Sequence, residues 1–297
     1  MPLRHFILAL VVVTIWGLNF IALKIGLEEI PPILMCSLRF MFTSIPAIFF
    51  VSFPRHVKAY QVACYGIVMF ALQFVFLFMG LHWGMTPGMA SLVMQIQLLF
   101  TIVFVGIFLG EWPDSIQLLG AFISLAGIVL IAFHLDASVT FSGFLCILAA
   151  AASWGMGNLL TKKIKTPDII GLIVWGAFFA FPLVFMVSLM LEGTEGISRA
   201  YQHLTAAGVF SLIYTVYLST LVGYGLWNWL LSKYAVGTIV PFTLLVPIFG
   251  MVSSVLFFHE PFEGWKASSA LLVMLGLTIN MLSPYIYQLR NDPLLKA

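Results

Sequence analysis

Charge is what this chain has least of. Of its 297 residues only 8% are Asp, Glu, Lys or Arg, 62% are hydrophobic, and the mean hydropathy is +1.10. A water-soluble domain carries about 25% charged residues, so this chain cannot cover a water-facing surface. It reads as an all-α integral membrane protein whose first partner is the lipid bilayer. The net charge of +2 gives no electrostatic footprint for nucleic acid. Cysteine is scarce too: Cys36, Cys64 and Cys146 lie inside apolar runs without disulfide or metal-ligand spacing, so they read as packing residues. Enzyme signatures are missing. There is no Gly-x-Ser-x-Gly elbow, and His259-Glu260-Pro261-Phe262-Glu263 begins like a zinc-protease helix but lacks the second histidine. No phosphate-binding loop occurs, so the chain is not expected to hydrolyse ATP. No catalytic residue, metal or cofactor is expected.

One further absence constrains mechanism. All eleven acidic residues fall in loops or at the ends of apolar runs: Glu28, Glu29, Glu111, Asp114, Asp136, Asp168, Glu192, Glu195, Glu260, Glu263 and Asp292. A carboxylate at mid-membrane, the usual element of a proton relay or sodium cage, is not among them.

What the chain does have is apolar length. About 20 residues of helix cross a hydrocarbon core of roughly 30 Å, and ten such runs are present: about 5–25, 32–52, 60–81, 88–109, 115–133, 140–161, 169–191, 206–230, 237–258 and 264–288. They are called spans 1 to 10 below. The first holds Trp, Asn and Lys in its second half and no small-residue cleavage site, so it reads as a retained span rather than a signal peptide. Outer-membrane strands would alternate polar and apolar residues, and these runs do not. The longest connection, Glu192 to Thr205, is expected to be a loop. With the N-terminus in the cytoplasm, the inner side holds Arg4, Arg55, Lys58, Lys162, Lys163, Lys165, Lys233, Arg290 and Lys296, against Lys24, Arg199 and Lys266 outside. That bias places both termini in the cytoplasm.

The runs also repeat. Trp16-Gly17-Leu18-Asn19-Phe20 with Lys24 returns 138 positions on as Trp154-Gly155-Met156-Gly157-Asn158 with Lys162, and Pro46 returns as Pro182. Gly88, Glu111 and Gly127 return 149 positions on as Gly237, Glu260 and Gly276. The expected organisation is two five-helix repeats, 1–134 and 135–297. Five is odd, so the second copy would lie inverted relative to the first, the sequence trace of alternating-access carriers.

The polar residues inside the spans are the candidate site. Arg39 lies seven residues into span 2, roughly 10 Å deep at 1.5 Å per residue, where an unpaired cation costs a few kcal/mol. It is either a contact for a substrate carboxylate, a gate, or a structural arginine bonded to backbone carbonyls. Asn19, Gln73, Gln95, Asn158 and Asn228 should turn away from lipid, because an amide in hydrocarbon leaves several groups unpaired. Inward serves either a substrate or a helix-to-helix bond. Gln95 and Gln97 stand about 200° apart on an α-helix, so they are not expected to face one cavity together, and Ser91 and Gly88 on its face favour Gln95. Trp16, Trp154, Tyr224 and Trp227 bring aromatic edges suited to a small amphipathic solute. Gly223-Tyr224-Gly225, Pro241 and Pro247 either loosen their helices beside a site or only kink them. Gly120, Ser124 and Gly127 in span 5, with Ser269 and Gly276 in span 10, form small-residue stripes that read as packing.

These stretches resemble a known family. Trp16 to Phe20 with Lys24, Pro31-Pro32, Leu38-Arg39-Phe40, Gly88, Ala90-Ser91-Leu92-Val93, Gln95, Gln97, Gly110-Glu111, Ser153-Trp154, Gly157-Asn158, Lys162-Lys163, Val222-Gly223-Tyr224-Gly225 and Leu244-Leu245-Val246-Pro247 are together similar to the EamA-type carriers of the drug/metabolite transporter superfamily. The resemblance covers nearly the whole chain. It implies a ten-helix basket in the bacterial inner membrane that exports small amino-acid metabolites such as cysteine and O-acetylserine. Other amino acids or aromatic metabolites are the alternative cargo. Spans 1, 3, 4, 6, 8 and 9 would line the cavity, with spans 5 and 10 outside it, and a monomer is expected. The pattern departs from itself at the end of span 9, where His259-Glu260 replaces the Gly110-Glu111 of span 4, so the turn there is expected to differ.

Overall fold

The computed structural model describes residues 1–135, 139–234 and 236–291, and the side chains of residues 228, 236–237, 240 and 284–291 lie outside that description. Among the described residues ten helices are long and apolar enough to cross a membrane: Leu3–Gly26, Pro32–Phe49, Ala59–His82, Pro87–Leu109, Ser115–Ala132, Phe141–Ile164, Ile169–Leu191, Ala206–Lys233, Pro241–Phe258 and Gly264–Ser283. They match spans 1 to 10 within a few residues. Each exists for the reason its sequence predicts, since in hydrocarbon only a helix satisfies every backbone group within itself.

Helix ends carry the polar residues. Asp114 caps span 5 by accepting from the Ile116 and Gln117 amides, both at 2.8 Å, while the Gln117 side chain accepts from the Asp114 amide at 3.1 Å. Span 2 starts at Pro32 and has no capping side chain of its own. Its first free amides, of Ile33 and Leu34, donate instead to the two carboxylate oxygens of Glu192 at 2.7 and 2.8 Å, from the far end of span 7. Glu29, in the turn after span 1, likewise accepts from the Thr205 amide at 2.8 Å just before span 8. The connection after span 7 is not the loop expected: Gly193–His203 is a short helix. Its Gly196 and Ala200 are buried while Glu195 and Arg199 stay in water, the pattern of a helix lying on a surface.

Packing between spans follows the repeat. Span 1 packs on spans 8 and 9, and span 6 packs on spans 3 and 4; span 2 meets span 7, and span 5 meets span 10. Exchanging each span for the one five places away turns these pairs into one another. The pairing of spans 5 and 10 shows this at single residues. A Cβ added to Gly127 would stand 2.9 Å from the Ser269 carbonyl oxygen, and one added to Gly120 would stand 2.9 Å from the Asn280 amide nitrogen beside Gly276. Gly120 and Gly127 thus face Gly276 and Ser269, each pair the mirror of the other at the offset of 149. Ser124 Oγ donates to the Val273 carbonyl at 3.3 Å and Asn280 Nδ2 to the Gln117 carbonyl at 2.8 Å. The small-residue stripes are packing surfaces, as expected.

Spans 3, 4, 8 and 9 are not regular. Span 3 is π-helical over Ile67–Leu72 and span 8 over Tyr214–Val222; span 4 tightens to a 3-10 turn at Met94–Ile96 and span 9 at Val240–Leu244. The interruptions recur at matching places in the two halves. Such turns re-aim side chains and leave carbonyls free, which is why they gather at functional sites.

Candidate functional site

The four interrupted helices surround one cavity of about 130 Å³ near the middle of the bundle. Its wall includes Trp16, Asn19, Arg39, Gln73, Gln95, Trp154 and Tyr224, seven of the ten residues predicted for the site, together with Phe20, Phe74, Ser91, Gln97, Ser219 and Thr243. Spans 1, 3, 4, 6, 8 and 9 contribute as the resemblance implied, and span 2 joins them through Arg39. No described residue of spans 5 or 10 reaches it.

Three of the wall residues are placed by specific contacts. Trp16 Nε1 donates to the Ser219 carbonyl at 3.1 Å, inside the π-helical turn of span 8. Its ring lies 5.6 Å from Tyr224 and 5.1 Å from Trp227. That approach needs glycine at 223, because a Cβ there would stand 2.6 Å from Trp16 Nε1. Gln95 Nε2 donates to the Thr243 carbonyl at 3.3 Å across the gap between spans 4 and 9. Arg39 is 2% exposed. Its guanidinium lies 4.3 Å from the centroid of Phe74, a cation–π distance, and Nη2 donates to Thr220 Oγ1 at 3.0 Å. Among the described residues no carboxylate pairs with it.

The decisive feature is what remains unbonded. Buried side-chain atoms without a hydrogen-bond partner among the described residues are Asn19 Oδ1, Arg39 Nε and Nη1, both ends of Gln73, Gln97 Oε1 and Ser269 Oγ. Six of these seven belong to the wall of this cavity. A buried polar group left unpaired costs about 1–3 kcal/mol, so this cluster leaves donors and acceptors around one hollow free for water or a solute.

Four expectations need amending. Gln97 shares the cavity with Gln95, because the 3-10 turn at Met94–Ile96 winds about 120° per residue rather than 100°. That brings the two side chains nearer the same side. Asn158 does not line the cavity: its Nδ2 donates to Thr101 Oγ1 at 3.0 Å, a bond between spans 6 and 4. It follows its tryptophan by four residues where Asn19 follows by three, and that one-residue slip is about 100° of helix. Trp227 stands behind Trp16, in an apolar cluster with Ala9, Val12, Val13 and Leu230. Asn228, the tenth predicted residue, has a side chain outside the described residues. The turn after span 9 also differs from expectation by not differing: His259 adopts φ 53° where Gly110 has φ 72°, so both halves close these helices in the left-handed conformation. Thr220, which holds Arg39, was not singled out in the sequence. Its signal is only tertiary.

A family model described as EamA-like transporter family matches residues 3–133 and 141–282. The chain belongs to the EamA-like transporter family. It is therefore a multi-pass membrane transporter and not an enzyme. This EamA-like transporter is 38% identical over 281 residues to a protein of Escherichia coli (strain K12) described as a probable amino-acid metabolite efflux pump, covering 93% of this chain and 94% of that one. A protein of the same description from Salmonella typhimurium is 38% identical over 280 residues, covering 92% and 93%. An uncharacterized transporter of Bacillus subtilis (strain 168) is 26% identical over 289 residues, covering 91% and 94%. One chain of known crystal structure superposes with a TM-score of 0.58 at 18% identity, covering 94% of this chain and 98% of that one, which speaks to the fold alone.

Proposed function

We propose that this transporter exports small amino-acid metabolites, cysteine and O-acetylserine among them, by alternating access. Its two halves, 1–134 and 135–297, would lie inverted about the cavity, in the bacterial inner membrane with both termini in the cytoplasm. Three things support the reading. The relatives at 38% identity carry the description of a probable amino-acid metabolite efflux pump; the principal span pairs exchange with one another between the halves; and most basic residues of the sequence fall in alternate connections and at the two ends. The observation that carries it is the ring of unpartnered donors and acceptors around the cavity. Arg39 offers N–H groups to a carboxylate, and the amide oxygens of Asn19, Gln73 and Gln97 accept from an ammonium group. Gln95, Trp154, Tyr224 and Trp16 close the walls.

A cavity of about 130 Å³ is small against the roughly 300–1,000 Å³ of drug-sized pockets, which favours small amino acids over aromatic metabolites. Proteoliposomes loaded with labelled cysteine or O-acetylserine test the substrate: release faster than from protein-free vesicles is expected, and equal release ends the claim. Cysteine probes at the two chain ends, labelled from either side of intact cells, test the topology. Ends found on opposite faces would rule out the inverted arrangement.

A further inference from the structure

Arg39 carries five N–H donors, and the structure commits one of them. Nη2 donates to Thr220 Oγ1 at 3.0 Å while Nε and Nη1 have no partner. The Thr220 hydroxyl gives its own hydrogen to the Thr215 carbonyl at 2.8 Å, so towards Arg39 its oxygen acts only as an acceptor. That bond spans five residues inside the π-helical run Tyr214–Val222. Phe74 lies against the guanidinium at 4.3 Å. The group is therefore held at one face and by one N–H. Nη2 is shared by two donor forks, one with Nη1 and one with Nε. Whichever of its hydrogens Thr220 takes, the other fork stays whole, and a planar fork matches the two oxygens of a carboxylate. The acceptors elsewhere in the wall are of another kind. Asn19 Oδ1, Gln73 Oε1 and Gln97 Oε1 are neutral amide oxygens, and no Asp or Glu lines the cavity among the described residues.

We infer that the cavity selects its cargo by the carboxylate, with Thr220 the positioning residue that aims Arg39, and that the ammonium group is dispensable. This rests on the amino-acid reading of the site and narrows it: the substrate class is the small monocarboxylate, of which amino acids are members. A charge-assisted fork to arginine is roughly twice as strong as a bond between neutral groups. A cation without a carboxylate would meet Arg39 with no anion to offset it.

Liposomes loaded with labelled cysteine are challenged with 3-mercaptopropionate, which lacks the ammonium group, and with cysteamine, which lacks the carboxylate. The first is expected to compete within about tenfold of unlabelled cysteine, the second at least about a hundredfold more weakly. Cysteamine competing as well as 3-mercaptopropionate overturns the inference. Thr220→Val is expected to raise KM about tenfold at an unchanged maximal rate, and Thr220→Ser, which keeps the hydroxyl, to restore it. An unaltered KM in Thr220→Val, a serine variant no better than valine, or a fall in maximal rate alone would give Thr220 a packing role only. If labelled cysteine is not exported at all, the proposed cargo fails while the inference is still decided by thermal unfolding in detergent. Small monocarboxylates are expected to stabilise the protein and Thr220→Val to remove that effect; stabilisation by the matching amines, or by neither, overturns it.

Discussion

Glu111 and Glu260 stand 149 positions apart at matching ends of spans 4 and 9, each one residue after a left-handed turn, yet they inhabit different media. Glu111 pairs with Lys162 in the open, the two side chains 56% and 46% exposed. Glu260 pairs with Lys266 at 3.3 Å with side chains 7% and 1% exposed, and it also accepts from the hydroxyls of Thr86 at 2.7 Å and Ser254. Lys24, the counterpart of Lys162, only shares a surface recess with Glu260. Two copies of one sequence landmark thus do opposite work. The exposed pair is a loose clasp between spans 4 and 6, and the buried one binds the start of span 4, the end of span 9 and the start of span 10 into one block.

The largest effect should come from breaking the buried pair on one side. Lys266→Met leaves the Glu260 carboxylate buried without its cation and is expected to cost about 3–5 kcal/mol, read as lost thermal stability in detergent. Adding Glu260→Gln should recover much of it. If the single and double variants unfold alike, the two ends do not differ as described. Next is the cavity, where the proposed function reserves charge for cargo rather than structure. Arg39→Met should lower transport at least about a hundredfold, roughly 2.7 kcal/mol, with little loss of thermal stability, since it removes one internal bond and two orphan donors. A variant that unfolds instead would make Arg39 structural. On the closely packed scaffold, Gly127→Leu drives a side chain against the Ser269 backbone and should cost about 1–3 kcal/mol. The same change at partly buried Gly193, where an added Cβ would have nothing within 4 Å but φ is 68°, would report chiefly backbone strain. Lys162→Ala should shift stability by no more than about 1 kcal/mol, and less in high salt. The smallest effect is a pH dependence. The Thr205 hydroxyl and backbone amide hold the Glu29 carboxyl below its ordinary value of 4.5. The stability it contributes is complete above that value and fades as the pH falls through the lowered one. Glu29→Gln should flatten this part of the acid unfolding curve.

The contrast between these ends also marks how far residues can be read in order. Asn19, Gln73 and Gln95 were legible because an amide in an apolar run has few places to go other than inward. Gln97 and Asn158 face elsewhere than expected because a side chain's facing depends on the local winding of its helix and on its spacing from the residues around it. The 3-10 turn in span 4 moves Gln97 towards the cavity, and one extra residue after Trp154 turns Asn158 onto Thr101. Thr220 was invisible because a threonine in an apolar helix ordinarily bonds its own backbone. Its oxygen meets Arg39 only because span 8 packs beside span 2.

Taken alone, the order of residues determined ten membrane-length helices, their duplication and the polar set available to a site, since hydrocarbon enforces helical backbone and penalises unpaired dipoles wherever they fall. Tertiary structure decided which of those dipoles stay unpaired and face one another. That choice depends on π and 3-10 turns, on the mirror contacts of glycine at the span 5 and span 10 interface, and on which of two equivalent carboxylates is shut away from water. None of these is a property of a residue by itself; each comes from the neighbours that packing supplies.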